Sequence, residues 1–396
     1  MKRFKALTTI IIILITLENR VIHSQDNSSD PGSPTPRAEP VSPIPRAEPI
    51  GPNEPTPRAE LAIPKTYPKA VPKLEYTEES DEKPSALIDY ANFVYSQKQW
   101  TIASTYYLKF LEISPNNILA PLATYRLAET YLKQKNINDA EKFYLKIFED
   151  FTNSEYLGPA TYRLGSIYYS NNKFLEAANF FNTAKETLDK KSVQLSATYY
   201  HARSLNETKQ YTKALSAFEK LSIIENENPY REAALLTIAR IYADNNEEKK
   251  SINAFTRLIK ISEKEDIQAE SLVKSGLMSN SLGDTQKAKD YFSSALALQG
   301  GEEWKPDAQF HLIKIYYQEK NFQKVIDTYS EGAFSMSDEI RPKMLLMVGN
   351  SFRQMDRHKD AISVYILLRE HYPSSKEASE SEYRKLLSLF NLGNKS

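Results

Sequence analysis

A 37-residue period runs from about residue 84 to the end of the chain and leaves few folds open to it. Ala103, Ala140, Ala177, Ala214, Ser251, Ala288, Val325 and Ala361 recur at intervals of 37, with 36 at the last step. Four residues after each stands an aromatic: Tyr107, Tyr144, Phe181, Phe218, Phe255, Phe292, Tyr329 and Tyr365. Twelve residues before each, a very small residue is the rule: Ala91, Ala128, Gly165, Ala202, Ala239, Gly276 and Gly349, with Ile313 the exception. A helix pair of this size cannot bury its own apolar face, whereas stacked copies can. The period therefore predicts an all-α repeat array.

Each unit reads as two amphipathic helices. In the second, Leu122, Tyr125, Leu127, Ala128, Tyr131 and Leu132 share a face over residues 121–135, a turn follows at 136–138, and Ala140, Phe143, Tyr144, Ile147 and Phe148 continue on a second helix. Prolines sit near the joints, where a missing N–H does least harm. Small residues let the backbones cross closely and the aromatic one turn later fills the wedge. Units are expected to begin near 84, 121, 158, 195, 232, 269, 306 and 342. In the seventh, Ile313 and Val325 are both enlarged. The sixth carries Ser279 where most others carry an aromatic or aliphatic residue, and precedes Gly300-Gly301, where local mobility is expected.

The pattern Gly/Ala-x-x-Tyr followed by Ala-x-x-x-Phe/Tyr, with Pro115 and Pro373 twelve residues after Ala103 and Ala361, resembles the tetratricopeptide repeat. The tryptophan usual in that family's first helix is absent, and the period is 37 rather than 34, which lengthens the joint between units. The resemblance implies an all-α, right-handed α-solenoid of about eight helix–turn–helix units over 84–375, closed by a capping helix and tail over 376–396. Phrases such as Ala361-Ile-Ser-Val-Tyr-Ile-Leu-Leu-Arg-Glu-His-Tyr-Pro-Ser-Ser375 make it similar to the bacterial envelope branch, typified by the periplasmic Tol–Pal repeat proteins and the BamD-like outer-membrane assembly proteins.

What precedes the array is of another kind. Residues 1–24 read as an export signal: Lys2, Arg3 and Lys5, then an apolar run from Ala6 to Leu17, then polar residues, with cleavage after Ser24 or retention as a short anchor. Residues 25–83 form a tether. Fourteen of the chain's 21 prolines lie between Pro31 and Pro84, and a unit Pro-x-Pro-Arg-Ala-Glu recurs at 34–39, 43–48 and 55–60. Proline fixes φ and removes donors, so polyproline II and disorder are expected, as spacer or as docking motif. The chain has no cysteine, which excludes disulfides, thiol nucleophiles and lipoprotein acylation. With 51 acidic and 51 basic residues, it lacks the basic excess of a nucleic-acid binder.

No catalytic or metal-binding constellation stands out. His23, His201, His311, His358 and His371 lack ligand spacing, Gly300-Gly301 is no phosphate loop, and no cofactor is expected. The resemblance implies that first helices line a concave surface. Register places Tyr125, Tyr162, Tyr199 and Phe310 there in one row and Tyr95, Tyr169 and Tyr317 in another. Asn92, Arg203, Arg240, Lys314, Asn350 and Arg353 supply polar contacts. The expected function is a non-enzymatic protein-interaction scaffold of the cell envelope, exported and joined to a membrane only by its N-terminus or a partner. A peptidoglycan- or other glycan-binding module is the alternative, and an accessory subunit of an envelope enzyme a third.

Overall fold

Every one of the eight repeats turns from its first helix to its second through three residues. The structure, a computed structural model, describes residues 83–332 and 337–393. The expected signal and tether lie outside the described residues. Among the described residues all regular structure is helical. The first helices of the repeats are α1 (Pro84–Ser96), α3 (Ala120–Lys133), α5 (Leu157–Ser170), α7 (Lys191–Glu207), α9 (Arg231–Asp244), α11 (Glu265–Ser281), α13 (Lys305–Gln318) and α15 (Ile340–Gln354). Their second helices are α2 (Trp100–Ile113), α4 (Ile137–Asp150), α6 (Phe174–Thr187), α8 (Tyr211–Ser222), α10 (Glu248–Ile261), α12 (Thr285–Ala297), α14 (Phe322–Glu331) and α16 (His358–His371), and α17 (Lys376–Gly393) follows.

The chain divides into two compact units inside α9, residues 83–234 and 235–393 of the described chain. Each is an α-solenoid in which a helix packs mainly on its neighbours in sequence. In the second unit the first helices also touch one another, α11 with α13, α13 with α15 and α15 with α17.

The intra-repeat turn is a Schellman motif whose last residue doubles as the cap of the next helix. Lys98, Lys135, Asn172, Lys209, Asn246, Gly283, Lys320 and Asp356 all have φ between 58° and 81°, and they keep the 37-residue spacing, with 36 at the last step. In the second repeat the Lys135 N–H donates to Leu132 O at 3.0 Å and the Asn136 N–H to Tyr131 O at 2.9 Å. The same two bonds recur in all eight. The column Val94, Tyr131, Tyr168, Leu205, Tyr242, Ser279, Tyr316 and Phe352 thus supplies the carbonyl that closes the turn. Asn136, Asp284 and Asn321, next after the left-handed residue, cap the following helix through their side chains. Only one of the eight left-handed residues is glycine, although a side chain there costs about 1–2 kcal/mol.

The joints between repeats, by contrast, vary from three residues (188–190, 262–264) to eight (223–230). The period survives because α7 and α11, which follow the short joints, are 17 residues long where the other first helices have 13 to 15. The extra residues relative to the shorter repeat are loop in some units and helix in others.

Within a pair the small residue of the first helix is a notch for the aromatic ring of the second. A Cβ built on Gly165 would lie 2.8 Å from the Phe181 ring, on Gly276 2.7 Å from Phe292 and on Gly349 2.5 Å from Tyr365. The rings of the column are buried in every repeat but the seventh. There Ile313 fills the notch, both it and Val325 are fully buried, and Tyr329 is moved out to a half-buried position. Ser251 replaces alanine in the fifth repeat without cost in satisfaction, because its Oγ donates to the notch carbonyl of Ala239 at 2.7 Å. In the sixth, Ser271, Ser275 and Ser279 are all buried, so α11 meets its neighbours through small residues. Gly301 is packed: it is buried, its φ is 72°, and its N–H donates to Asp266 Oδ1 at 3.1 Å.

The turn geometry makes a stability prediction. Nothing lies within 4 Å of a Cβ added to Gly283, so Gly283→Ala tests backbone strain alone. It should lower stability by about 1 kcal/mol, whereas Lys135→Gly, relieving the same strain, should raise it by about as much. Urea midpoints of the two variants should move in opposite directions.

Candidate functional site

The aromatic rows expected to face a partner are, for the most part, spent on packing. Tyr125, Tyr162 and Tyr199 are only 3–4% exposed. Tyr125 stacks on Tyr156 at 5.3 Å, and Tyr199 on Tyr230 at 4.7 Å, both residues of the joint that leads into the next repeat. Tyr162 shares a 2.7 Å hydrogen bond with Ser196 of the following first helix. These three rings join one repeat to the next, so a ligand cannot reach them. Phe310 is half-buried against His311.

The second row, Tyr95, Tyr169 and Tyr317, is half-buried, and each ring packs edge-on against the first residue of its own second helix: Trp100 at 5.3 Å, Phe174 at 5.2 Å and Phe322 at 6.1 Å. These pairs bridge the Schellman turn. Burial pushes the Tyr95 and Tyr169 hydroxyls up to about 12.

The polar candidates divide in the same way. Asn92 and Asn350 accept from the notch-filling tyrosines, Tyr107 at 2.7 Å and Tyr365 at 2.8 Å. Glu129, at the equivalent position of the second repeat, accepts from Tyr144 and from Arg163 Nε at 3.0 Å. A polar partner of this kind thus stands where the ring is tyrosine in repeats one, two and eight. Where the ring is phenylalanine, the equivalent residues are Ser166, Arg203, Arg240 and Leu277. Arg240 is committed to Glu270 by bonds of 2.6 and 3.1 Å. Removing that arginine would strand a buried carboxylate, and the loss would be of stability before it was of partner binding. Arg353 lies beside the Tyr365 hydroxyl. Arg203 lies over the Tyr169 and Tyr199 rings at 5.5 and 5.8 Å, and Lys314 is exposed to solvent.

A different surface offers more. Between α6, α7 and α8, in the first unit, lies an open cleft of about 1090 Å³. Lys185, Lys191, Lys213 and Lys220 line it, with Glu186 the one acidic residue of the lining. Lys185 Nζ donates to Asn182 Oδ1 at 2.7 Å and Lys213 Nζ to Gln210 Oε1 at 3.0 Å, so amide oxygens rather than carboxylates hold the ammonium groups. Burial lowers the pKa of the Lys185 ammonium, with Lys220 adding to the effect and Glu186 opposing it. His201 lies in the same lining with its Nδ1–H donating to Ala178 O at 2.9 Å, and burial lowers its pKa. Thr183, Thr198 and Ser216 add hydroxyls. Such a cleft can accept carboxylates and peptide carbonyls. Its lysines come from three helices and from different phases of the period, so no single column of the sequence marks the cleft.

Among the described residues, no three side chains of the metal-ligating kind gather where they could hold an ion. No helix there is long and apolar enough to cross a membrane.

Two variants test these assignments. Glu129 is 2% exposed and Arg163 8% in their side chains, so Glu129→Ala, which strands the arginine, should cost about 3–5 kcal/mol in a denaturation experiment. Tyr144→Phe removes a hydroxyl without stranding the arginine and should cost far less. His311, stacked on Phe292 at 5.6 Å, has its pKa pushed down to about 4 by burial, with Lys314 adding to the effect. The unfolded chain binds that proton at about 6.5, so the contribution of His311 is intact above pH 6.5 and is lost as the pH falls from there toward 4. His311→Phe should flatten the fall in melting temperature over that window relative to the wild type.

The same helix pairs connect this chain to known proteins. A family model for the tetratricopeptide repeat matches residues 122–154 and another residues 233–265, which are the second and fifth repeats of the array. No curated protein matches the chain at significance. Among solved structures, MamA is 18% identical, with 43% of this chain and 92% of that one covered at a TM-score of 0.35. PilF of Pseudomonas aeruginosa is 16% identical, covering 58% and 98% at 0.36, and the apo form of RapI is 14% identical, covering 78% and 98% at 0.42. With two repeats matched directly, the same turn recurring in the other six, and the same notch and seated ring in five of those, the array is one of tetratricopeptide units.

Proposed function

We propose that this chain is a protein-interaction scaffold of the bacterial envelope and that its α6–α8 cleft holds an extended, acidic segment of a partner protein. The tetratricopeptide fold supports a scaffold role in general. The cleft supports the finer reading, because four lysines converge there with one carboxylate among the lining residues. Their mutual repulsion is relieved when a run of carboxylates enters. Export is supported by the basic, then apolar, then polar order of residues 1–24. Half-buried Tyr95, Tyr169 and Tyr317, with Arg203 and Lys314, are a secondary contact surface on the first helices.

The reading is tested with a fluorescent peptide of alternating glutamate and serine, followed by anisotropy. Binding should weaken with added salt, since screening lengths fall below about 10 Å above 0.1 M. It should fall at least about tenfold in Lys185→Glu/Lys220→Glu, where each reversed charge contributes of the order of 1 kcal/mol. Equal binding by wild type and double variant would remove the cleft from the site. Displacement of the peptide by soluble peptidoglycan fragments would shift the assignment to a glycan.

A further inference from the structure

The α6–α8 cleft and one segment of the chain are chemical opposites. Residues 75–82, Glu-Tyr-Thr-Glu-Glu-Ser-Asp-Glu, carry five carboxylates and no cation, which no other eight-residue stretch of the sequence matches. The segment lies outside the described residues and runs into Lys83, where they begin. Leu74 and Tyr76 stand at its start, so its order is apolar first and acidic after. The cleft has the same order. Neighbouring helices joined by short loops run antiparallel, so α6 and α8 point one way along it. Leu175, 56% exposed, and Lys213 stand near the starts of those two helices. Lys185 and Lys220 stand near their ends, and Lys191 opens α7 beside the latter pair. One end therefore offers a bare leucine and one lysine, and the other offers three lysines with Glu186.

The lengths agree as well. At 1.5 Å per helical residue, Leu175 and Lys185 are about 15 Å apart along α6. At about 3.3 Å per extended residue, Tyr76 lies about 13 Å from Ser80 and about 17 Å from Asp81. A chain cannot fill its own cleft, however. The acidic run is joined directly to α1, and α7 lies three repeats further on. With helices packed about 8–10 Å apart, three repeats carry α7 roughly 25–30 Å from α1. Glu79, the midpoint of the run, is five residues from Pro84 and reaches only about 17 Å.

We infer that residues 74–82 dock in the α6–α8 cleft of a second copy of this chain, parallel to α6, with Tyr76 beside Leu175 and Glu78, Glu79, Asp81 and Glu82 toward Lys185, Lys191 and Lys220. The inference rests on the reading of the cleft as a site for an acidic segment, and it names the occupant. Segment and cleft are different surfaces, so the contact is heterologous. Its attraction is between charges open to solvent, so it weakens as salt is added.

Sedimentation velocity of the full chain, from micromolar to hundreds of micromolar, should show reversible association. Neutralising the segment (Glu75→Gln, Glu78→Gln, Glu79→Gln, Asp81→Asn and Glu82→Gln together) should weaken it at least about tenfold, and so should Lys185→Glu/Lys220→Glu in the cleft. Mixed together, those two variants should associate again, because one keeps the cleft and the other keeps the segment. The chain has no cysteine, so introduced thiols report orientation cleanly. On mild oxidation, a chain with Ser80→Cys should form a disulfide with a second chain carrying Thr183→Cys, close to Lys185 in the lining, identified by peptide mass. It should not do so with Thr212→Cys, at the Leu175 end. A chain monomeric throughout, association indifferent to neutralisation of the segment, mixed variants that stay apart, or crosslinking that prefers Thr212→Cys would overturn the inference. If the glutamate–serine peptide then still binds the wild type and not Lys185→Glu/Lys220→Glu, the cleft remains a site for acidic segments and only its occupant is wrong. If that peptide binds neither, the reading of the cleft itself falls.

Discussion

The contact on which the array depends is the seating of an aromatic ring on a residue with almost no side chain. Helices pack about 8–10 Å apart, and the closer end of that range is open only where one surface is notched. At Gly165, Gly276 and Gly349 the ring occupies the volume a Cβ would take. The ring is consequently fully desolvated, which for a tyrosine raises the problem of its hydroxyl. Asn92, Glu129 and Asn350 solve it locally, one residue beyond the notch, and in the second repeat the solution extends to Arg163. The polar residues of the first helices thus follow from the choice of ring on the second. The seventh repeat shows the converse: with Ile313 in the notch, the ring gives way and the second helix, α14, is only ten residues long.

Much of this was legible because it is chemistry of residue type. Small, aromatic and proline columns announce a helix pair, and the pair announces the stack. The Schellman turns were not legible. Their left-handed residues are Lys, Asn, Gly and Asp, and lysine at four of eight positions does not signal positive φ. The geometry there is imposed from both sides, by the closing carbonyl before it and the helix cap after it. Three residues leave no slack, so the strain is tolerated where the turn is over-determined.

The candidate site was read less well than the fold, for a related reason. Register places a residue on a face but does not say what covers that face. Tyr125, Tyr162 and Tyr199 are on the expected row and are sealed by Tyr156, Ser196 and Tyr230, none of which belongs to a column used to predict them. Arg240 is expected from register to supply a polar contact to a partner, and the residue that holds it, Glu270, lies 30 residues on, off the period. The lysines of the α6–α8 cleft come from two second helices and a first, each at a different phase.

A repeat protein spends its periodic positions on neighbours, so what is left for partners is whatever departs from the period. The cleft is one such place, where four lysines meet a single carboxylate and amide oxygens hold two of the ammonium groups. The outward face of α17 is the other: Tyr383, Leu386, Leu389 and Phe390 are exposed on it, and a leucine stands at 386 in the column where Gly165, Gly276 and Gly349 make notches. A filled notch does not by itself keep a second helix away, since in the seventh repeat Ile313 is accommodated by moving the Tyr329 ring out.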